Sequence, residues 1–312
     1  ILDLPPTAAG AGQASKATLG TFGGRGARQF PRAQQPGAEA MEQLGGTRDE
    51  IRDATGLHRG AVDKKWRFEI DDVNAQVKRP AAESQPLADV LAHPQLYDNY
   101  PGIARMELRV DPAREAGTAA HDAGNNRIII SGKDSPEDLR RILMHEIQHA
   151  VQQREKFETG GSSRMVMKRV NEVLSENQKS SDPPTKAKAR LYAQAFNQFP
   201  QEERANIAFK LYERGAGETE ARNVEKRLDM DAIERAFTSP WKTQDVAEVE
   251  QLRSPLRDVP EISEMAKPPI PPHQQAVRDR IAAAPGSKFE VPTAADTYTA
   301  IVDDLHPLKK MT

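Results

Sequence analysis

The sequence predicts an α+β fold in which a small β-sheet packs against several helices, with extended Pro/Gly-rich flanks. Three observations predict it. Short runs at 66–71, 105–110 and 126–130 have strand character. From Ser135 onward, apolar residues recur at helical spacing instead. Only 37% of the chain is hydrophobic while it carries 23 prolines and 20 glycines. That leaves apolar material for one core of roughly 200 residues and little for the flanks.

Taken in order, residues 1–45 are rich in Gly, Ala and Pro without sustained apolar periodicity. They read as a linker, or as a segment ordered only against a partner. Asn126-Arg127-Ile128-Ile129-Ile130 is a short β-branched strand ending in Ser131-Gly132. Ser135-Pro136-Glu137-Asp138 then starts a helix, with a Ser N-cap, Pro at the first helical position and two acids facing the positive end of the dipole. Leu139, Ile142, Leu143, Ile147, Ala150 and Val151 make its apolar stripe, and Arg154, Lys156 and Gly160-Gly161 mark its end. Further helices are expected over 165–176, 186–196 and 202–214, with a loop at 180–184 and another helix around Glu218. Residues 251–312 form a Pro-rich extended segment. Its spacer is Lys267-Pro268-Pro269-Ile270-Pro271-Pro272, followed by a short helix over 274–284 and a short strand at 289–291. That segment reads equally as a docking element or as a disordered tail.

Inside the helix that begins at Ser135 lies His145-Glu146-Ile147-Gln148-His149, the pattern His-Glu-x-x-His. Residues four apart on a helix differ by about 40° around the axis, so both imidazoles can reach one zinc ion. The intervening Glu146 can then serve as general base for a hydrolytic water. Two surface histidines on an ordinary amphipathic helix remain the plainer alternative.

A catalytic zinc needs a third protein ligand and an open fourth position. Ala216-Gly217-Glu218-Thr219-Glu220-Ala221 offers Glu218, with Glu220 in reserve. On a helix the two point about 200° apart, so only one can serve. Glu218 to Ala221 resembles the Glu-x-x-Ala helix that supplies the third ligand in many glutamate-type zincins. Acidic residues in a first helical turn also occur simply as dipole partners. His58, His93 and His121 lie in loop-like contexts, and His273 and His306 in the tail; all five are expected to be solvated.

The run Leu143 to Gln152, with Arg154-Glu155, Phe157 and Gly160-Gly161-Ser162, resembles a domain of large polyvalent proteins, the multidomain proteins of phages and mobile elements. Gly60 with Trp66-Arg67-Phe68-Glu69-Ile70-Asp71-Asp72, Leu87 to Leu91, His93-Pro94-Gln95-Leu96, Arg109-Val110-Asp111-Pro112, Gly217 to Asn223 and Ser239 to Val246 resemble it too. The likeness spans roughly residues 50–250. It implies a zincin-like module carried on a virion or mobile-element protein, expected in the virion with delivery to the host cytoplasm, or otherwise in the cytoplasm.

Composition bounds the rest. With no cysteine, a metal site must use His and carboxylate ligands. Net charge is -2 with both signs mixed, so there is no nucleic-acid or membrane signal. No apolar run reaches transmembrane length, and the first residues do not read as a signal peptide. The first residue is Ile1 rather than Met, which is expected of a trimmed or processed product or of a piece of a longer protein.

The function expected is a zinc-dependent peptidase. Zn2+ would be held by His145, His149 and Glu218, with Glu146 as general base and Tyr212 or Arg222 as oxyanion donor. Its partners would be a protein or peptide substrate and other subunits or domains of a phage assembly. The alternative is a structural or ejected virion component whose metal site is structural or a relic.

Overall fold

A computed structural model describes residues 19–253 of the chain, apart from 73, 180 and 182. The first 18 residues lie outside these, as do the Pro-rich spacer, the helix at 274–284 and the strand at 289–291. The fold is mixed α+β, with twelve α-helices and three small sheets among the described residues. The chain divides into two compact units. One takes residues 19–155 and 222–243 of the described chain, and the other takes 156–221 and 244–253.

The first unit opens with β1 (Leu19–Gly23), α1 (Gln35–Gln43) and α2 (Arg48–Thr55), then β2 (His58–Arg59) and β3 (Trp66–Asp71). Strand β3 lies between β1 and β2, antiparallel to both. Composition marked residues 1–45 as a linker, but from residue 19 on they fold, with Phe22 and Phe30 buried in the core. The glycines there serve close packing. A Cβ on Gly20 would lie 1.9 Å from Asp72 Oδ2, so only glycine lets β1 approach β3 at that point. Helix α2 is set by a capping box. The Thr47 hydroxyl accepts from Glu50 N, and the Glu50 carboxylate accepts from Thr47 N.

Next come β4 (Gln76–Val77), β5 (Ser84–Pro86), α3 (Leu87–Val90), β6 (Leu91–Ala92), α4 (Pro94–Asn99) and α5 (Pro101–Ala104). They are followed by β7 (Glu107–Val110), β8 (Ala119–Asp122) and β9 (Arg127–Ile130). The four-stranded sheet has the order β5-β7-β9-β8, with β7 and β9 parallel and β8 antiparallel to β9 at one edge. This corrects the expected single sheet. The strands near 105–110 and 126–130 do pair, but β3 belongs to a separate sheet because β1 and β2 occupy both of its edges.

Helix α6 (Pro136–Glu155) follows directly, and the Ser135 hydroxyl accepts from Asp138 N at 3.1 Å, as a Ser N-cap should. Leu139, Leu143, Ile147, Ala150 and Val151 are buried in the core with Ile128 and Ile130 of β9, and Ile142 packs at its margin. The helix stops as Lys156 turns into the left-handed region at φ 57°.

Residues 222–243 return to this unit with the end of α10 (Ala216–Arg227), then α11 (Ala232–Phe237) and α12 (Pro240–Thr243). They are tied in by buried charge. Glu69 of β3 accepts from Arg52 at 3.0 Å and from Arg227 at 2.9 Å, and Asp72 pairs with Arg235. Asp231 caps α11 through Ile233 N and Glu234 N, both 2.8 Å.

In the second unit, α7 (Ser163–Gln178), α8 (Pro183–Gln198) and α9 (Gln201–Glu213) match the three helices expected there. Val166, Val170, Leu174, Phe196, Ile207, Ala208, Leu211 and Leu252 form its own core. The first turns of α10 belong to this unit.

Candidate metal centre

On α6, His145 and His149 lie one above the other, their rings edge-to-face with centroids 4.7 Å apart. Their Nε2 atoms are 3.0 Å apart. Each ring is held from behind. His145 Nδ1 meets the Glu225 carboxylate, and His149 Nδ1 meets Gln152 Oε1 at 2.9 Å. Oxygen acceptors at both Nδ1 positions call for Nδ1–H, which leaves a lone pair on each Nε2. Two lone pairs converging at this distance repel unless a proton or a metal ion lies between them. Zinc–imidazole bonds of about 2.0–2.1 Å span the gap comfortably. The donor set fits a divalent zinc ion, in which case Glu225 would be the carboxylate that orients His145.

The surrounding contacts fix the rotation of α6. Gln148, fully buried, accepts from Phe22 N at 3.0 Å and donates to Phe22 O at 3.2 Å, completing the open edge of β1. Arg141 is bidentate to Asp229 at 2.8 and 2.5 Å. With His145–Glu225 this makes two rungs a turn apart, in opposite chain order on α6 and on the segment from Glu225 to Asp229. Glu146 follows His145 on the helix and is buried, where a carboxylate is kept from bulk water.

Three histidines expected to be solvated are not. His58 is buried on β2, and desolvation pushes its imidazole well below the usual range, with nearby arginines adding to the effect. His93 is fully buried and caps α4, its Nδ1 accepting from Leu96 N at 3.3 Å. Burial lowers it from 6.5 to about 4, reinforced by Arg140. His121 stands on β8 opposite Ile128. Burial lowers it to about 4, with His149 and Arg154 adding to the effect. All three were misjudged because their segments are too short to show strand or helix periodicity.

Glu218 is placed in the second unit, in the first turn of α10, and is buried. Its Oε1 accepts from Gly161 N at 2.9 Å. The preceding Gly217 packs on the backbone of residues 159 and 160, where a Cβ would lie 2.2 Å from the Thr159 carbonyl carbon. The Gly160-Gly161 break and the Gly217-Glu218 helix start are thus one local structure. Glu220 is buried two residues further on. Tyr212 ends α9 in the same unit. Its ring tilts against Phe209 with centroids 5.9 Å apart and packs on that unit's core, and its carbonyl accepts from Gly215 N at 2.9 Å.

Sequence reasoning missed Glu225, Gln152, Gln148 and His121. Gln152 was discoverable, since it lies three residues from His149 on a helix. Glu225 comes from a helix 80 positions away, and no local pattern announces it.

No curated protein and no solved structure matches the chain. Residues 20–78 match the family model described as Large polyvalent protein associated domain 23. That segment includes Trp66 to Asp72, part of the resemblance to large polyvalent proteins, and it includes Phe22, on which Gln148 of the histidine helix is seated. The link to large polyvalent proteins stands on these residues.

Proposed function

We propose that this chain is a zinc-dependent peptidase module of a phage or mobile-element protein, with a zincin-like arrangement of helix and edge strand. The observation that carries this reading is the pair of Nε2 atoms, 3.0 Å apart, with both Nδ1 positions engaged behind them. Glu218 is the third ligand in this reading. It is taken with His145 and His149 as the ligand set, one carboxylate and two imidazoles with a fourth position open. It also lies on the same face of α10 as Glu225, seven residues earlier.

Bound zinc would polarise a peptide carbonyl and bring a water pKa toward neutrality. Glu146 then takes the proton of the attacking water and passes it to the leaving amine. Glu225 and Gln152 hold the imidazoles in one tautomer and one orientation. The oxygen that gains charge needs a donor, for which the sequence offers Tyr212 or Arg222. The substrate is a protein or peptide, and the natural setting is a virion or its delivery into a host. The match at residues 20–78 also suits a second reading, a structural or ejected virion component whose metal site is structural or a relic.

Elemental analysis of the purified protein separates these. Near-stoichiometric zinc, lost in Glu218→Ala but kept in Glu220→Ala, supports the ligand set. Glu146→Gln is expected to keep zinc and abolish hydrolysis in a peptide-library screen. Zinc with no hydrolysis in the wild type leaves the structural reading, and a wild type without zinc overturns the peptidase reading and leaves a structural component whose histidine pair is a relic.

A further inference from the structure

One polar group beside the histidine pair has no assigned task. Strand β8 is an edge of its sheet, and His121 on it stands opposite Ile128 of β9, whose side chain is fully buried in the core with α6. Cross-strand partners share a sheet face, so His121 projects to the side that α6 covers. Strand β8 packs directly against α6. Its Nε2 is buried and has no hydrogen-bond partner among the described residues. A buried imidazole nitrogen without a partner is costly in a folded protein unless a ligand completes it.

Resting on the peptidase reading, we propose that His121 is a further catalytic residue, its Nε2–H donating to the oxyanion that forms when a peptide carbonyl is attacked beside His145 and His149. His121 stands on a strand that packs against the helix carrying both histidines. A rigid strand also holds a donor better than a helix end does. Preorganised donors aimed at developing charge are among the largest contributors to acyl-transfer catalysis.

The test uses the full chain with cobalt in place of zinc, titrated with methylphosphonate as a tetrahedral oxyanion and read from the visible cobalt bands. His121→Ala is expected to weaken methylphosphonate binding by about 10-fold, the effect of one hydrogen bond to a charged group. Cobalt affinity should stay unchanged, and His121→Gln, which keeps an N–H donor, should recover most of the loss. Equal methylphosphonate affinity in His121→Ala and wild type overturns the proposal. Loss of cobalt itself in both variants also overturns it, making His121 a ligand or a structural residue. A wild type that binds no cobalt fails earlier and differently, because it removes the metal reading and this one with it.

Discussion

Gln148 holds both the N–H and the C=O of Phe22, at 3.0 and 3.2 Å, so the helix that carries the histidine pair is clipped to a strand from the other end of the first unit. A side-chain amide here does the work of a neighbouring strand for one residue. The clip orients α6 as well as stabilising it. Gln148→Leu leaves two buried backbone groups unsatisfied, and the expected loss is about 2–4 kcal/mol. Urea unfolding measures that loss. Zinc affinity measured on the same variant at low temperature should fall as well, since α6 is then free to rotate. Unchanged zinc affinity would make Gln148 purely structural.

Glu225 behind His145 makes a separable prediction. Glu225→Gln keeps the shape but removes the charge that favours Nδ1–H. Metal affinity is expected to fall about 10–100-fold, as for other partners of metal-bound histidines. Competition with a chromogenic chelator measures it. Little change in unfolding free energy of the metal-free protein should accompany it, because the pair is partly exposed.

His93 gives the fold a defined acid sensitivity. Folded, its Nδ1 accepts from Leu96 N and it protonates only at about 4; unfolded, it takes a proton near 6.5. Between those values the unfolded chain binds more protons, so stability is complete above pH 6.5 and falls as pH drops toward 4. The single-site contribution is about 3 kcal/mol. His93→Asn keeps a capping acceptor without a titrating group, so its stability should fall less over the same window. Denaturant melts at pH 7.5, 5.5 and 4.5 compare the two, and parallel curves would exclude His93 as the cause.

The buried ion pairs carry the largest single-site risk. Glu69 answers both Arg52 and Arg227, and Arg227 is fully buried. Glu69→Gln would leave guanidinium charge in the interior and is expected to cost about 3–5 kcal/mol. Replacing Glu69 and Arg227 together by Met should cost much less than the sum of the single changes. Thermal melts of the wild type, Glu69→Met, Arg227→Met and the double variant decide it, and additive effects would show that the pair is not coupled.

What could be read from the chain was whatever local spacing encodes. The Ser135-Pro136 helix start, the stripe from Leu139 to Val151, the strand at 127–130 and the three helices after Ser163 all depend on neighbours in sequence, and all appear. Strand β1 was hidden because its glycines look like linker; Gly20 is there to let Asp72 come close, and that demand arises only once the strands pair. The single-sheet expectation failed for the same reason, since without β1 the strand at 66–71 had no other partner. In the candidate site, His145, Glu146 and His149 were legible from one helical turn. Glu225, His121 and the Gln148 clip were not, because each depends on a fold-level contact between distant segments.

The pairing of Glu69 and Asp72 with Arg227 and Arg235 sets an order on biosynthesis. A ribosome delivers the two acids long before the two arginines, with the whole of 156–221 made in between. Until residue 235 has emerged, the nascent first unit has acids in its β3 region that lack these two partners, and it can close only once the later segment arrives. A message truncated between residues 155 and 227 would therefore yield a chain that carries every residue of the His-Glu-x-x-His helix without the arginines that answer Glu69 and Asp72 from the later segment.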